Sequence, residues 1–87
     1  MEKVMRAKMQ VSGVTQHRNA DDELTQETVH FRGVAKSDGY PADGSDEDNT
    51  FARWSPSASL EIAIANPNLF GELKVGDKFY VDFSRAE

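Results

Sequence analysis

Residues 55–67 read Ser55-Pro56-Ser57-Ala58-Ser59-Leu60-Glu61-Ile62-Ala63-Ile64-Ala65-Asn66-Pro67, and residues 73–83 read Leu73-Lys74-Val75-Gly76-Asp77-Lys78-Phe79-Tyr80-Val81-Asp82-Phe83. In the first run Leu60, Ile62 and Ile64 alternate with Glu61, Ala63 and Ala65. In the second, Phe79, Val81 and Phe83 alternate with Tyr80 and Asp82. A period of two places successive side chains on opposite faces of a pleated ribbon, so both runs predict half-buried strands. Asn66-Pro67-Asn68 is a turn, and residues 68–73 have room for one helical turn.

The same period recurs toward the N-terminus. Met5, Ala7, Met9 and Val11 alternate with Arg6, Lys8 and Gln10, apolar inward and basic outward. Ser12-Gly13 marks a bulge or bend, after which Val14 continues the strand. Residues 16–23 are polar and read as a hairpin loop. In residues 27–36, Val29 and Phe31 face one way and Thr28, His30 and Arg32 the other. Gly33 lacks a side chain where an inward one is due. It reads as a bulge or a close backbone approach, or else as a weak point in an uninterrupted strand. Residues 37–50 hold three turn signals, Asp38-Gly39, Tyr40-Pro41 and Asp43-Gly44, and form a long loop. Residues 51–54 read as a short edge strand that Pro56 interrupts. The expectation is an all-β fold: a small barrel or strongly bent antiparallel sheet of four to five strands, with at most one short helical turn. A single domain over residues 1–87 with a long acidic loop at 37–50 follows.

Bulk composition narrows the function classes. A chain of 87 residues has a marginal core, and without cysteine it has neither a disulfide nor a thiolate metal site. Association with copies of itself is a common remedy, so a homo-oligomer is expected. The missing cysteines fit a reducing cytoplasm. No secretory signal and no apolar run of a membrane span's length is visible, which predicts a cytoplasmic protein without membrane contact. The net charge is −5. Asp38, Asp43, Asp46, Glu47 and Asp48 fall in one segment that holds no base; setting them aside leaves ten acids against ten bases. A near-neutral body binds a long phosphate backbone weakly, so nucleic acid is an unfavoured partner.

Candidate chemistry is sparse. The spacing of Asp43, Asp46 and Asp48 does not match a calcium loop, which needs ligands at alternate positions, a glycine sixth and a glutamate twelfth. A solvated, mobile loop is the plainer reading, and imitation of nucleic-acid phosphates a weaker one. Phe51, Arg53 and Trp54 form one aromatic and basic grouping able to stack a planar ring, with Tyr40 and the outward Tyr80 as contributors. Arg32 joins this set as a cation for an anionic ligand. Tyr80 beside the small face of Ala63 and Ala65 is an alternative subunit contact. His30 sits with Arg32 on the outer face of the second strand; with no identifiable activating partner or nucleophile, it reads as part of a solvated cross-strand pair. Ser55, Ser57 and Ser59 read as turn chemistry, because no G-x-S-x-G is present. Glu61 and Asp82 form a carboxylate pair only if their strands are neighbours. No catalytic residue, cofactor or metal ligand is assigned.

The segment Ser55-Pro56-Ser57-Ala58-Ser59-Leu60, the Asn66-Pro67 turn, the Phe70-x-x-Leu73-x-x-Gly76 connector and the ending Tyr80-Val81-Asp82-Phe83 resemble a family of small proteins encoded by tailed bacteriophages and prophages. The first strand, Arg6-Ala7-Lys8-Met9-Gln10-Val11, is similar as well. Family members often carry glycine where Ala58 stands and have a much shorter middle segment, so nothing located in residues 37–50 is carried over. The resemblance implies a non-enzymatic phage accessory protein in the host cell cytoplasm. Such a protein binds and neutralises a host component, either a defence or regulatory protein or a nucleotide signal. The alternative is an OB-like nucleic-acid-binding barrel in phage replication or recombination. A structural virion component is a third class.

Overall fold

The computed structural model describes residues 3–87. Its strands are β1 (Lys3–Arg18), β2 (Leu24–Gly33), β3 (Ser59–Ile64) and β4 (Lys78–Ser84), with a single 3-10 turn over Pro67–Leu69. All neighbours are antiparallel, and the strand order is β3-β2-β1-β4. The fold is all-β and the sheet is open, with β3 and β4 at opposite edges, so the barrel alternative is not realised. Among the described residues there are four strands rather than five. Residues 51–54 form turns, and their one ladder-type pairing is a lone bridge between Ser45 and Arg53. Trp54 there has φ +61°, a left-handed backbone that no strand residue adopts.

The alternating residues land as their period requires. Met9, Val11, Val29, Phe31 and Ile64 are buried on one face with Ala7. Arg6, Lys8, Gln10, His30, Arg32, Lys78, Tyr80 and Asp82 take the opposite phase of the same ladders. The register slips between Val11 and Gly13, so Ser12 is the bulge and Val14 returns to the apolar face opposite Val29. Gly33 is a close approach. Its N–H donates to the Ala58 carbonyl at 3.0 Å, and a Cβ there would meet the Ala58 Cβ at 3.4 Å. The first hairpin runs further than its apolar pattern. β1 continues to Arg18 and β2 starts at Leu24, because the ladder's backbone bonds do not require apolar side chains.

The connector from β3 to β4 must travel from one edge of the sheet to the other, and Phe70 and Leu73 pack on the apolar core as it crosses. Glu27, 2% exposed on that face, holds it there. Its carboxylate accepts the Gly71 N–H and the Gln16 side-chain amide, both at 3.0 Å. The Gly71 bond, then the Gln16 bond, lower the Glu27 pKa against the opposing effect of burial. The connector then joins the ladder early. The Val11 N–H donates to Asp77 O and the Gly76 N–H to Val11 O, each at 2.9 Å.

Residues 46–49 are built into the fold, so the expectation of a solvated loop holds only for its first part, 37–43, which is exposed apart from Tyr40. Asn49 is fully buried and Asp46 nearly so. Asp46 accepts the N–H groups of Lys36, Asp48 and Asn49 and the Asn49 side-chain amide. Asn49 in turn accepts the Lys8 N–H at 2.8 Å and donates to Val34 O at 2.7 Å. Burial pushes the Asp46 carboxyl up, but these hydrogen bonds outweigh it and the net shift is downward.

Candidate functional site

β4, β1 and β2 carry their polar residues on one face in register. Gln10 of β1 is opposite both Arg32 of β2 and Lys78 of β4. Strands are spaced by about 4.8 Å, so the Arg32 and Lys78 backbones stand about 10 Å apart across Gln10. Neither cation has an ion-pair partner among the described residues. Gln10 donates its side-chain amide to Gly76 O at 3.1 Å.

The next row holds Lys8 opposite Tyr80. Beyond it Arg6 grips Asp82 with two hydrogen bonds, Nε to Oδ1 at 2.7 Å and Nη2 to Oδ2 at 3.1 Å. The grip holds the Asp82 carboxyl below the usual carboxylate range. It also sets the Arg6 guanidinium over the Tyr80 ring, 4.4 Å from its centroid. The tyrosine is half exposed, and a depression bounded by Lys8 and Lys78 borders it. Lys8 is 3.6 Å from Asp48, which draws one acid of the middle loop to this side of the sheet. Two shallow depressions follow one another along β1. One, of about 350 Å³, lies between Arg32, Gln10, Ser12 and Gly76. The other, of about 210 Å³, lies between Lys8, Lys78 and Tyr80. Together they present two unpaired cations, a hydrogen-bonding amide and an aromatic face, a set able to hold a phosphate and stack a ring.

The six residues singled out from sequence fall into three places. Arg32 and Tyr80 belong to the polar face. Tyr40, Arg53 and Trp54 gather in the middle loop. There the Tyr40 and Trp54 rings meet edge to face with centroids 5.8 Å apart. The Trp54 ring lies on Gly44, where an added Cβ would be 2.5 Å from Cε2, and the Trp54 backbone N–H donates to Gly44 O at 2.7 Å. One face of the indole is therefore closed. Arg53 donates to the Asp43 carbonyl at 2.8 Å and is fixed to its own loop. Phe51 borders two depressions, one shared with Arg53 and Ser45 and the other an apolar groove with Met5, Leu60 and Phe83.

Two pairings weighed in sequence are excluded by strand order. Glu61 is on β3 and Asp82 on β4, at opposite edges, so they are not a carboxylate pair, and Tyr80 is not beside Ala63. His30 lies 3.9 Å from Glu61 across the β2–β3 ladder, its cross-strand partner on that side. Of the five clustered acids, Asp46 is buried, Asp48 faces Lys8 and Glu47 is 2.8 Å from Lys36, while Asp38 and Asp43 are exposed. Gln10 and Lys78 were missed in sequence as members of the row. Lys78 is in phase with Tyr80 and Asp82, but only the strand order sets it across from Arg32. No protein-family model, curated protein or solved structure matches the chain.

Proposed function

We propose that this is a non-enzymatic binding protein that captures a small phosphorylated ligand, of the nucleotide class, on the polar face of its sheet. The observation that carries the reading is the row Arg32–Gln10–Lys78 beside the half-exposed ring of Tyr80. Phosphate oxygens accept from the two cations, and a base stacks on the tyrosine opposite Arg6. The resemblance to phage accessory proteins supplies the context, in which sequestering a nucleotide signal in the host cytoplasm neutralises a host response. A small anion suits this face better than a polymer. The chain carries net charge −5, and Arg6 and Lys8 are already engaged by Asp82 and Asp48.

Isothermal titration with cyclic dinucleotides, ADP-ribose and mononucleotides tests the reading. A ligand held by both cations binds in the micromolar range, and Arg32→Ala or Lys78→Ala weakens it by about tenfold or more. Absence of heat for every nucleotide at millimolar concentration refutes the small-anion reading. The OB-like alternative predicts instead that single-stranded oligonucleotides bind with a salt slope of about −0.7 per phosphate contact, steeper than two cations can produce.

A further inference from the structure

The chain is thin for its mass. Its principal extents are 56 × 32 × 16 Å and its radius of gyration is 15.7 Å, against about 12 Å for a compact domain of this length. Its accessible surface is 6033 Å², whereas a compact monomer of 9.7 kDa exposes about 5,100 Å². That excess of about 900 Å² is shared between the polar tip of the β1–β2 hairpin, which projects past β3 and β4, and the rim of the apolar face; one partner contributes about 800 Å² to a standard protein interface. A sheet with an apolar face is stable when a second layer covers it. Here the crossing connector covers only the half near Glu27 and Val29, where Phe70 and Leu73 pack.

On the other half Ala7 and Met9 are buried, but the rim around them is exposed. Phe79 and Phe83 on β4 and Phe51 in the middle loop are 38–45% exposed. Met5, Leu60, Phe51 and Phe83 border a groove of about 200 Å³, and no charged side chain lines it. That volume is below the roughly 300–1,000 Å³ of small-molecule sites, and the groove lacks a charged group to orient a polar ligand. It accepts an aromatic side chain, and its own rim supplies two.

We propose that this less covered half of the apolar face is the contact surface of a symmetric homodimer, in which Phe83 of each copy enters the Met5–Leu60 groove of the other and packs beside the Phe51 that lines it. A two-fold contact uses the same patch twice, so a surface that carries both the projecting rings and the recess that receives them is complementary to itself. The polar faces then point outward on both sides, and the dimer offers two copies of the Arg32–Lys78 row. The inference stands apart from the identity of any ligand on that row.

Sedimentation equilibrium of the full chain over about 1–100 µM tests it. The expected result is twice the monomer mass of 9.7 kDa, with Phe83→Glu and, separately, Phe51→Glu each raising the dissociation constant by about tenfold or more. Circular dichroism checks that each variant keeps its sheet, and Lys78→Glu on the polar face leaves the dimer unchanged. A second reading needs no variant: amide exchange at residues 79–84 of the unaltered chain quickens on dilution through the dissociation constant. A chain that stays monomeric at about 100 µM overturns the proposal, as does a dimer indifferent to both substitutions or an exchange rate independent of concentration. A monomer that attaches to phosphatidylcholine vesicles through the same phenylalanines overturns it in favour of a lipid surface.

Discussion

One edge of β1 is satisfied in two different ways. From Met9 to Arg18 its partner is β2, and backbone bonds backbone in a regular ladder. From Arg6 to Lys8 no strand is there, because β2 has ended at Gly33. Residues from the middle of the chain take its place. The Lys8 N–H finds Asn49 Oδ1 and the Lys8 carbonyl finds the Val34 N–H at 2.9 Å. The Arg6 carbonyl finds the Thr50 N–H at 3.0 Å, and the Arg6 N–H finds Thr50 Oγ1 at 2.9 Å. In the ladder any residue but proline supplies the bond, so the arrangement tolerates change in its side chains. In the loop two particular side chains supply it, and each is a point of failure.

The largest blow is one that strikes the layer both regions share. Phe31→Ala empties a buried site against Val11 and Phe79 and costs about 3–5 kcal/mol in urea unfolding. For a chain of this size that is a large part of the total. Next comes the loop's own anchor. Asn49→Ala leaves the Lys8 N–H and Val34 carbonyl without their partner and costs about 1–3 kcal/mol. Thr15→Ala, at an exposed ladder position on the same edge, changes stability by less than about 0.5 kcal/mol. Equal losses at residues 49 and 15 would dissolve the distinction between the two regions.

Acid sharpens the comparison. Asp46 in the loop and Glu27 under the connector both have folded pKa values lowered below their unfolded ones. Their contribution is complete above the unfolded carboxylate values near about 4 and is lost as pH falls through the lower folded values. Thermal unfolding is therefore expected to be insensitive to pH between about 6 and 8 and to fall steeply below about pH 4. Asp46→Asn is less stable than the unaltered chain at pH 7, and the gap narrows in acid. A gap independent of pH would remove Asp46 from the account. The smallest effect is at Tyr40, whose buried hydroxyl bonds to no other group among the described residues. Tyr40→Phe keeps the edge contact with Trp54 and shifts stability by less than about 0.5 kcal/mol.

The same contrast explains what was legible in the sequence. Alternation in residues 5–11, 28–32, 59–65 and 79–83 marked the strands and their faces, and Ser12-Gly13 and Gly33 marked a bulge and a close approach. Strand order was not legible, since a connector across the apolar face and one that folds back have the same composition. Without the order, Lys78 had no reason to be set beside Arg32, and whether Glu61 and Asp82 are neighbours stayed open. The loop was opaque for a second reason. Asp46 and Asn49 are residues that ordinarily signal solvated turns, and their partners Lys36 and Lys8 are 10 and 41 positions away. Residues 51–54 misled because aromatic composition resembles a strand while the backbone at Trp54 turns left-handed. Of the polar face, Arg6, Lys8, Arg32 and Tyr80 were placed outward by period alone.

The pairing of β4 with β1 has a consequence for how the chain acquires its shape. β1 is an inner strand, yet Arg6 and Asp82, which face each other across it, are 76 positions apart. The β1–β2 hairpin closes over a short turn and is free to form early, whereas the other edge of β1 waits until β4 has been made and carried across. During synthesis the row Met5, Ala7, Met9 is therefore emerging first and covered last. That interval, with an apolar strand edge exposed on the ribosome, is when the nascent chain is most open to misassembly and most in need of a chaperone.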